Sequence, residues 1–126
     1  MPRFVLLFHD CPPSFGKASH WDLMLEHDGA LRTWSLAELP SSWRTPQGDD
    51  VIELEAAQLP DHRLAYLDYE GPVSRDRGQV KCIDRGGYEI VDESPDWLRV
   101  RLTGAATIGE VRLPIAPSSP KLPPSS

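Results

Sequence analysis

The sequence predicts an all-β protein, a small antiparallel β-barrel of about eight short strands with little helix. Three observations predict it. Apolar residues recur with a period of two along most of the chain, and almost nowhere with the 3.6-residue period of a helix. Each alternating run is bounded by a Gly, Pro, Asp or Ser cluster, the punctuation of short strands. Asp28-Gly29 also stands between two such runs, where a two-residue hairpin turn needs the positive φ that glycine tolerates. A barrel suits so many short strands because it leaves no open edge.

A chain of 126 residues is one domain by length and can bury a core unaided. Residues 1–116 are expected to form that domain. Pro117 to Ser126 is rich in proline and serine and is expected to be a disordered tail. No apolar run approaches the roughly 18 residues of a membrane helix, and the start lacks the pattern of a signal peptide. Cys11 and Cys82 form no CxxC pair, so both read as ordinary buried or loop residues and a reducing cytoplasm is the expected compartment. The net charge of −6 argues against a protein that coats nucleic acid. It leaves room for a local site that grips one phosphate.

Phe4 to His9 is a short, nearly continuous apolar run, as a strand buried on both faces would be, and His9 stands at its polar exit. Asp10 to Ser19 reads as a loop with Lys17 as its only cation. His20 to Leu36 is the central hairpin. With Asp28 and Gly29 as loop residues, Leu25 faces Arg32, Leu23 faces Trp34, Glu26 meets Leu31, Met24 meets Thr33 and Asp22 meets Ser35. Trp21, Leu23, Leu25, Trp34 and Leu36 then share a core face. His20, Asp22, Met24 and Glu26 share the other.

From Ala37 to Asp50 a loop is expected, with Trp43 as its hydrophobic anchor. Val51–Ala57 reads as a strand with Glu53 and Glu55 facing water, Gln58–Arg63 as a turn bearing His62, and Leu64–Glu70 as another alternating strand. Gly71-Pro72 and Ser74–Gly78 are turn chemistry. Gln79–Asp84, Tyr88–Asp92, Trp97–Leu102 and Ile108–Ile115 are four further strand candidates.

Two groups of residues have the chemistry of a site. His20 and Asp22 share one strand face, and a loop joins them to His9. Two imidazoles and a carboxylate are a common three-ligand metal set that leaves positions open. The bland alternative is a group of polar strand residues that hydrogen-bond one another. In Asp61-His62-Arg63 an imidazole adjoins a guanidinium. The pair suits a phosphate oxygen with His62 as general acid, or else it is a solvated turn. Tyr66 can hydrogen-bond a substrate or simply pack. Glu26 has Arg32 and Lys17 as available partners, and His27, beside the turn, is expected to be exposed and not a ligand.

The hairpin resembles the signature of the 3′-phosphoesterase module of bacterial DNA ligase D. That pattern is His-Asp, a short loop, His-aromatic-Asp-Leu-Arg-Leu-Glu, an Asp-Gly turn and Ser-Trp. It is met here by His9-Asp10, His20-Trp21-Asp22-Leu23-Met24-Leu25-Glu26, Asp28-Gly29 and Thr33-Trp34. A second block, Asp-His-Pro then Tyr-x-Asp-Phe-Glu-Gly, is similar to Asp61-His62-Arg63 and Tyr66-Leu67-Asp68-Tyr69-Glu70-Gly71. The resemblance implies a compact β-barrel holding a divalent metal, manganese first and zinc second. It implies removal of phosphates or ribonucleotides from nucleic-acid 3′ ends in DNA repair, beside a ligase encoded separately. His9, His20 and Asp22 would be the metal ligands, His62 would contact the scissile phosphate, and Tyr66 would line the site.

The departures from the pattern bear on activity. The arginine after His-x-Asp-Leu is Met24 here, a lysine after the Ser-Trp segment falls near Glu38, and a second arginine falls near Leu54. The loop between His9 and His20 is five residues longer than usual. Each missing arginine removes charge-assisted hydrogen bonds of roughly 1.5–3 kcal/mol, with Arg63, Lys17 and Arg32 as the cations left to compensate. The expectation is a metal-dependent phosphoesterase-like protein. The alternative is a weak or inactive module of the same fold that binds metal and nucleic-acid ends.

Overall fold

In the computed structural model, which describes residues 2–12, 18–40, 51–73 and 78–115, the Asp28-Gly29 turn closes the central hairpin. Asp28 has φ 49° and Gly29 φ 80°, the two positive values that a tight hairpin turn requires. Strand β2 (His20–His27) pairs with β3 (Ala30–Leu36) in the register the sequence predicts, with Leu25 opposite Arg32, Leu23 opposite Trp34 and Asp22 opposite Ser35. On its other side β2 pairs with β1 (Arg3–Asp10), which sets His9 opposite His20 and Leu7 opposite Asp22.

The remaining strands are β4 (Val51–Glu53), β5 (Ala56–His62), β6 (Gly71–Pro72), β7 (Gln79–Glu93), β8 (Trp97–Gly104) and β9 (Ile108–Pro114). They form one sheet in the order β4-β9-β8-β7-β1-β2-β3-β5, with β6 on β7. All neighbours are antiparallel except β4 and β9. The two ends of this order, β4 and β5, are separated in sequence only by Leu54 and Glu55. A sheet whose opposite edges are tied by two residues has to roll up. Trp34 helps hold the roll, its indole Nε1 donating to the Pro114 carbonyl at 2.6 Å between β3 and β9. No β4–β5 ladder completes the ring among the described residues, so the sheet is rolled like a barrel without being closed.

The two faces of the sheet have separate cores. Phe4, Leu6, Leu23, Leu25, Trp34, Leu36 and the inward residues of β8 and β9 form the larger one. Val5, Leu7, Met24, Leu31, Leu67 and Val80 form the smaller, on the opposite face. A single 3-10 turn, Leu64–Leu67, lies against this second core. No helix among the described residues is long and apolar enough to cross a membrane.

Several sequence expectations are corrected, among them Gly71-Pro72, expected as a turn and found as the short strand β6. Leu64–Glu70 is not a strand. In a 3-10 turn residues i and i+3 share a side, so Leu64 and Leu67 cover the second core together, and alternation alone could not distinguish this from a strand. Gln58–Arg63 is not a turn, since β5 runs through it to His62. Pro60 is tolerated because β5 is an edge strand with a register shift beside it, where no ladder hydrogen bond is lost. Gln79–Asp84 and Tyr88–Asp92 are parts of one 15-residue strand. Gly86 is needed there for close approach, since a Cβ on it would lie 2.1 Å from the Thr103 carbonyl oxygen. Val51–Ala57 is divided between β4 and β5. Trp43, Lys17 and the Pro117–Ser126 tail lie outside the described residues.

Candidate functional site

The pairing of β1 with β2 builds the site. Directly opposed residues of an antiparallel pair point the same way, so His9, His20, Leu7 and Asp22 share the face of the second core. Leu7, opposite Asp22, and Val80, opposite His9, belong with Met24 to the apolar cluster on this face. Of the three side chains, His9 retains 13% of its accessible surface, His20 7% and Asp22 5%, burial that calls for a compensating charge or hydrogen bond.

His20 is held by its Nδ1, which donates to the Ala18 carbonyl at 2.9 Å. A carbonyl can only accept, so the neutral ring keeps its lone pair on Nε2. Nε2 stands 3.2 Å from Asp22 Oδ1, and His9 Nδ1 stands 4.0 Å from Asp22 Oδ2. The His9 and His20 rings are tilted against each other with centroids 4.9 Å apart. Asp22 Oδ1 nevertheless has no hydrogen-bond partner among the described residues. His20 Nε2 and this carboxylate oxygen face each other across the strand face. Neighbouring ligand atoms on one ion at about 2.1 Å are themselves about 3–3.5 Å apart, so the His20–Asp22 spacing is compatible with one divalent metal. Backbone-held Nδ1–H with Nε2 left to ligate is also the usual support of a metal-binding histidine.

Cys11 is the residue that sequence reasoning missed. Donor atoms of His9, Cys11 and His20 all lie within 4.8 Å of one another, and Cys11 Sγ is 4.0 Å from His20 Nδ1. The available signal is the spacing His9-x-Cys11, which repeats that of His20-x-Asp22. The search for CxxC pairs passes over it.

His62, Arg63 and Tyr66 form a second group. His62 donates from Nδ1 to the Pro60 carbonyl at 3.0 Å, and its ring meets the edge of Tyr66 at 5.8 Å. Tyr66 meets Tyr69 in the same way, and Arg63 is exposed along an open cleft with Asp61, His62 and Tyr66. A register shift between Leu31 and Thr33 turns His62 onto the face that carries Asp22. The two groups are nevertheless at different levels of the sheet. Asp22 is opposite Ser35, whereas His62 is opposite Leu31, four residues along β3 and so roughly 13 Å away in the strand direction. Met24 and Thr33, paired with each other and 1% and 0% exposed, occupy the level between.

The other candidates fall elsewhere. Arg32 pairs with Leu25 on the opposite face and lies over the Trp34 ring at 5.5 Å, so the fold does not bring it to either group. Glu26 pairs with Arg3 rather than with Arg32 or Lys17. Arg3's guanidinium and backbone N–H donate to its carboxylate and hold the carboxyl below its ordinary value. His27 is exposed beside Asp28. Lys17 lies outside the described residues.

Residues 14–114 match the family described as the DNA Ligase D 3′-phosphoesterase domain. The chain belongs to that family. The match takes in His20, Asp22, His62 and Tyr66 and begins after His9 and Cys11. The chain is also similar to the multifunctional non-homologous end joining protein LigD of Pseudomonas aeruginosa, with 31% identity over 94 residues. That alignment covers 72% of this chain and 10% of LigD, so the chain spans about a tenth of the length of this relative. The role that family membership supports is a phosphoesterase-like one related to DNA repair.

Proposed function

We propose that this chain is a divalent-metal-dependent phosphoesterase-like domain acting on nucleic-acid 3′ ends, with His9, His20 and Asp22 as its metal ligands. The observation that supports it most is the buried Asp22 Oδ1, which lacks a hydrogen-bond partner and faces His20 Nε2. A bound divalent ion would polarise a phosphoryl oxygen and lower the pKa of a water molecule. The chain's own residues supply the rest. Ala18 orients His20, and Arg63 offers an exposed guanidinium to a phosphate. His62, held by Pro60 through Nδ1, can present Nε2 to a leaving oxygen. Both DNA and RNA 3′ ends suit this chemistry, and a separately encoded ligase would use the product.

A second reading is favoured by Met24. It fills the level between the ligand group and His62 with apolar volume, where the family pattern has an arginine. A domain that binds metal and 3′ ends without turnover follows from that arrangement. Phosphate release from a 3′-phosphorylated primer–template, with manganese or zinc added, separates the readings. Release that His9→Ala and His62→Ala each reduce by about a hundredfold or more, for His62 roughly the lower end of what one acid–base group contributes, supports the enzyme. Metal uptake with no release above the His9→Ala background supports the binding module.

A further inference from the structure

The 3-10 turn and β6 enclose a second cleft beside the one that holds His62. It has a volume of about 260 Å³ and is lined by Arg63, Ala65, Tyr66, Tyr69, Pro72 and Val73. Arg63 and Tyr66 also line the His62 cleft, so the two clefts share a wall made of these side chains. We propose that the second cleft is a nucleobase subsite, taking the unpaired base of the 3′-terminal nucleotide whose phosphate meets Arg63 and His62. The inference rests on the function proposed above and adds to it the part of the substrate that is recognised.

The cleft has an aromatic wall that is held in place yet open. Tyr69 is 36% exposed, and its hydroxyl donates to the Pro72 carbonyl. Its ring stands at 89° to that of Tyr66, with centroids 5.8 Å apart. Tyr66 and Val73 are themselves packed on the second core. A ring fixed by its neighbours loses little freedom when a base stacks on it. The volume falls just below the range of sites that enclose a drug-sized ligand, so the cleft is sized for one base rather than for a base with its partner. Arg63, common to both clefts, suits the junction of base and phosphate, because a guanidinium can pair with the one and lie over the other.

Position gives a further reason. Gly71 of β6 pairs with Val80, Val80 pairs with His9, and His9 pairs with His20. The β6 side of the cleft is therefore on the rung of the ligand group, while its Arg63 side belongs to the His62 group. A nucleotide lodged there would lie between the two groups that the sheet sets at different levels. The net charge of −6 also offers little general attraction to a phosphodiester backbone, so grip has to come from local contacts such as a stacked base. Every base has a π face, which makes the subsite tolerant of sequence. It favours ends whose last base is mismatched, since such a base leaves the duplex at least cost.

The test titrates the full chain, in buffer containing manganese, into two fluorescently labelled primer–templates that differ only at the 3′-phosphorylated terminal nucleotide. One carries a mismatched base there and the other is abasic, and any release of phosphate leaves this difference intact. Fluorescence anisotropy should show the base-bearing end bound about 5- to 150-fold more tightly, the range for one stacked base. Tyr69→Ala should bring the two affinities together. Ala65→Leu, at an exposed lining position, should do the same by filling the cleft, and it serves if Tyr69→Ala does not fold. Equal wild-type affinities, or a base preference that survives in either folded variant, overturns the subsite and leaves the 3′-end function standing. Wild-type protein that binds neither primer–template overturns both.

Discussion

Asp22 and Asp84 are two buried carboxylates on neighbouring parts of one sheet, 3% and 6% exposed, and the fold treats them in opposite ways. Asp84 is saturated. Its Oδ1 accepts from the amides of Arg85 and Ala105, and its Oδ2 accepts from those of Ala106 and Thr107. It pins the β8–β9 connection to β7, in a space left open by Gly104, where a Cβ would lie 2.5 Å from Oδ2. Asp22 has an imidazole against each oxygen and an Oδ1 without a hydrogen-bond partner. Equal burial with unequal satisfaction separates a structural carboxylate from the one proposed above as a metal ligand. A buried polar atom without a partner calls for an explanation, and a bound ion is the one proposed here.

The contrast is open to direct tests. The largest effect expected is on Asp84→Ala, which leaves four amides without their acceptor. Its unfolding free energy, measured by urea denaturation, should fall by at least about 3 kcal/mol, since each stranded buried donor costs about 1–3 kcal/mol. A loss under about 1 kcal/mol would mean that water replaces the carboxylate, and the distinction between the two sites would weaken. Asp22→Asn should leave the metal-free protein within about 1 kcal/mol of the wild type, because no hydrogen bond to Oδ1 is lost. It should abolish the stabilisation by zinc or manganese, which at a hundredfold excess over Kd is about 2.7 kcal/mol. Thermal melts with and without the ion read both quantities.

A smaller effect concerns pH. Burial pushes the Asp84 carboxyl up. Hydrogen bonds from Ala106, Thr107, Ala105 and Arg85 outweigh it and hold the group below its ordinary value. A carboxyl lowered on folding stabilises the protein fully above its unfolded pKa of about 3.9. That contribution drains away as the pH falls through the lower folded value. Acid titration of stability should thus be shallower at its acidic end in Asp84→Asn than in the wild type, and unchanged between neutral pH and about 5. Parallel profiles down to the acid transition would remove the saturated-carboxylate reading. The smallest effect is expected at His27→Ala. This exposed neighbour of the hairpin turn should change stability by no more than about 0.5 kcal/mol and leave metal uptake as it was.

Much of this arrangement is legible in the residues themselves. The hairpin register follows from Asp28-Gly29 and the period of two, and it assigns Leu23, Leu25, Trp34 and Leu36 to one face and His20, Asp22 and Met24 to the other. The β1–β2 loop is bounded by His9 and His20, so their proximity is readable as well. The errors arise where one pattern serves two structures. Leu64–Glu70 alternates as a strand does, yet its leucines are also three apart, as a 3-10 turn needs. Pro60 reads as a breaker until β5 is known to be an edge strand. Cys11 is passed over because its partners are a strand away and it belongs to no cysteine motif.

By itself, then, the sequence determined which side chains share a face, because side-chain direction along a strand alternates residue by residue and needs no distant partner. It determined the hairpin, the apolar core face and the pairing of His20 with Asp22 in the same way. Only the tertiary structure decided how far apart His62 and Asp22 lie. That distance depends on the β3–β5 register and on the irregularity between Leu31 and Thr33, neither of which a single strand encodes. It also decided that Met24 is buried between them and that Cys11 stands beside His20. Local alternation chooses a face, whereas long-range pairing chooses neighbours, and a site is made of neighbours.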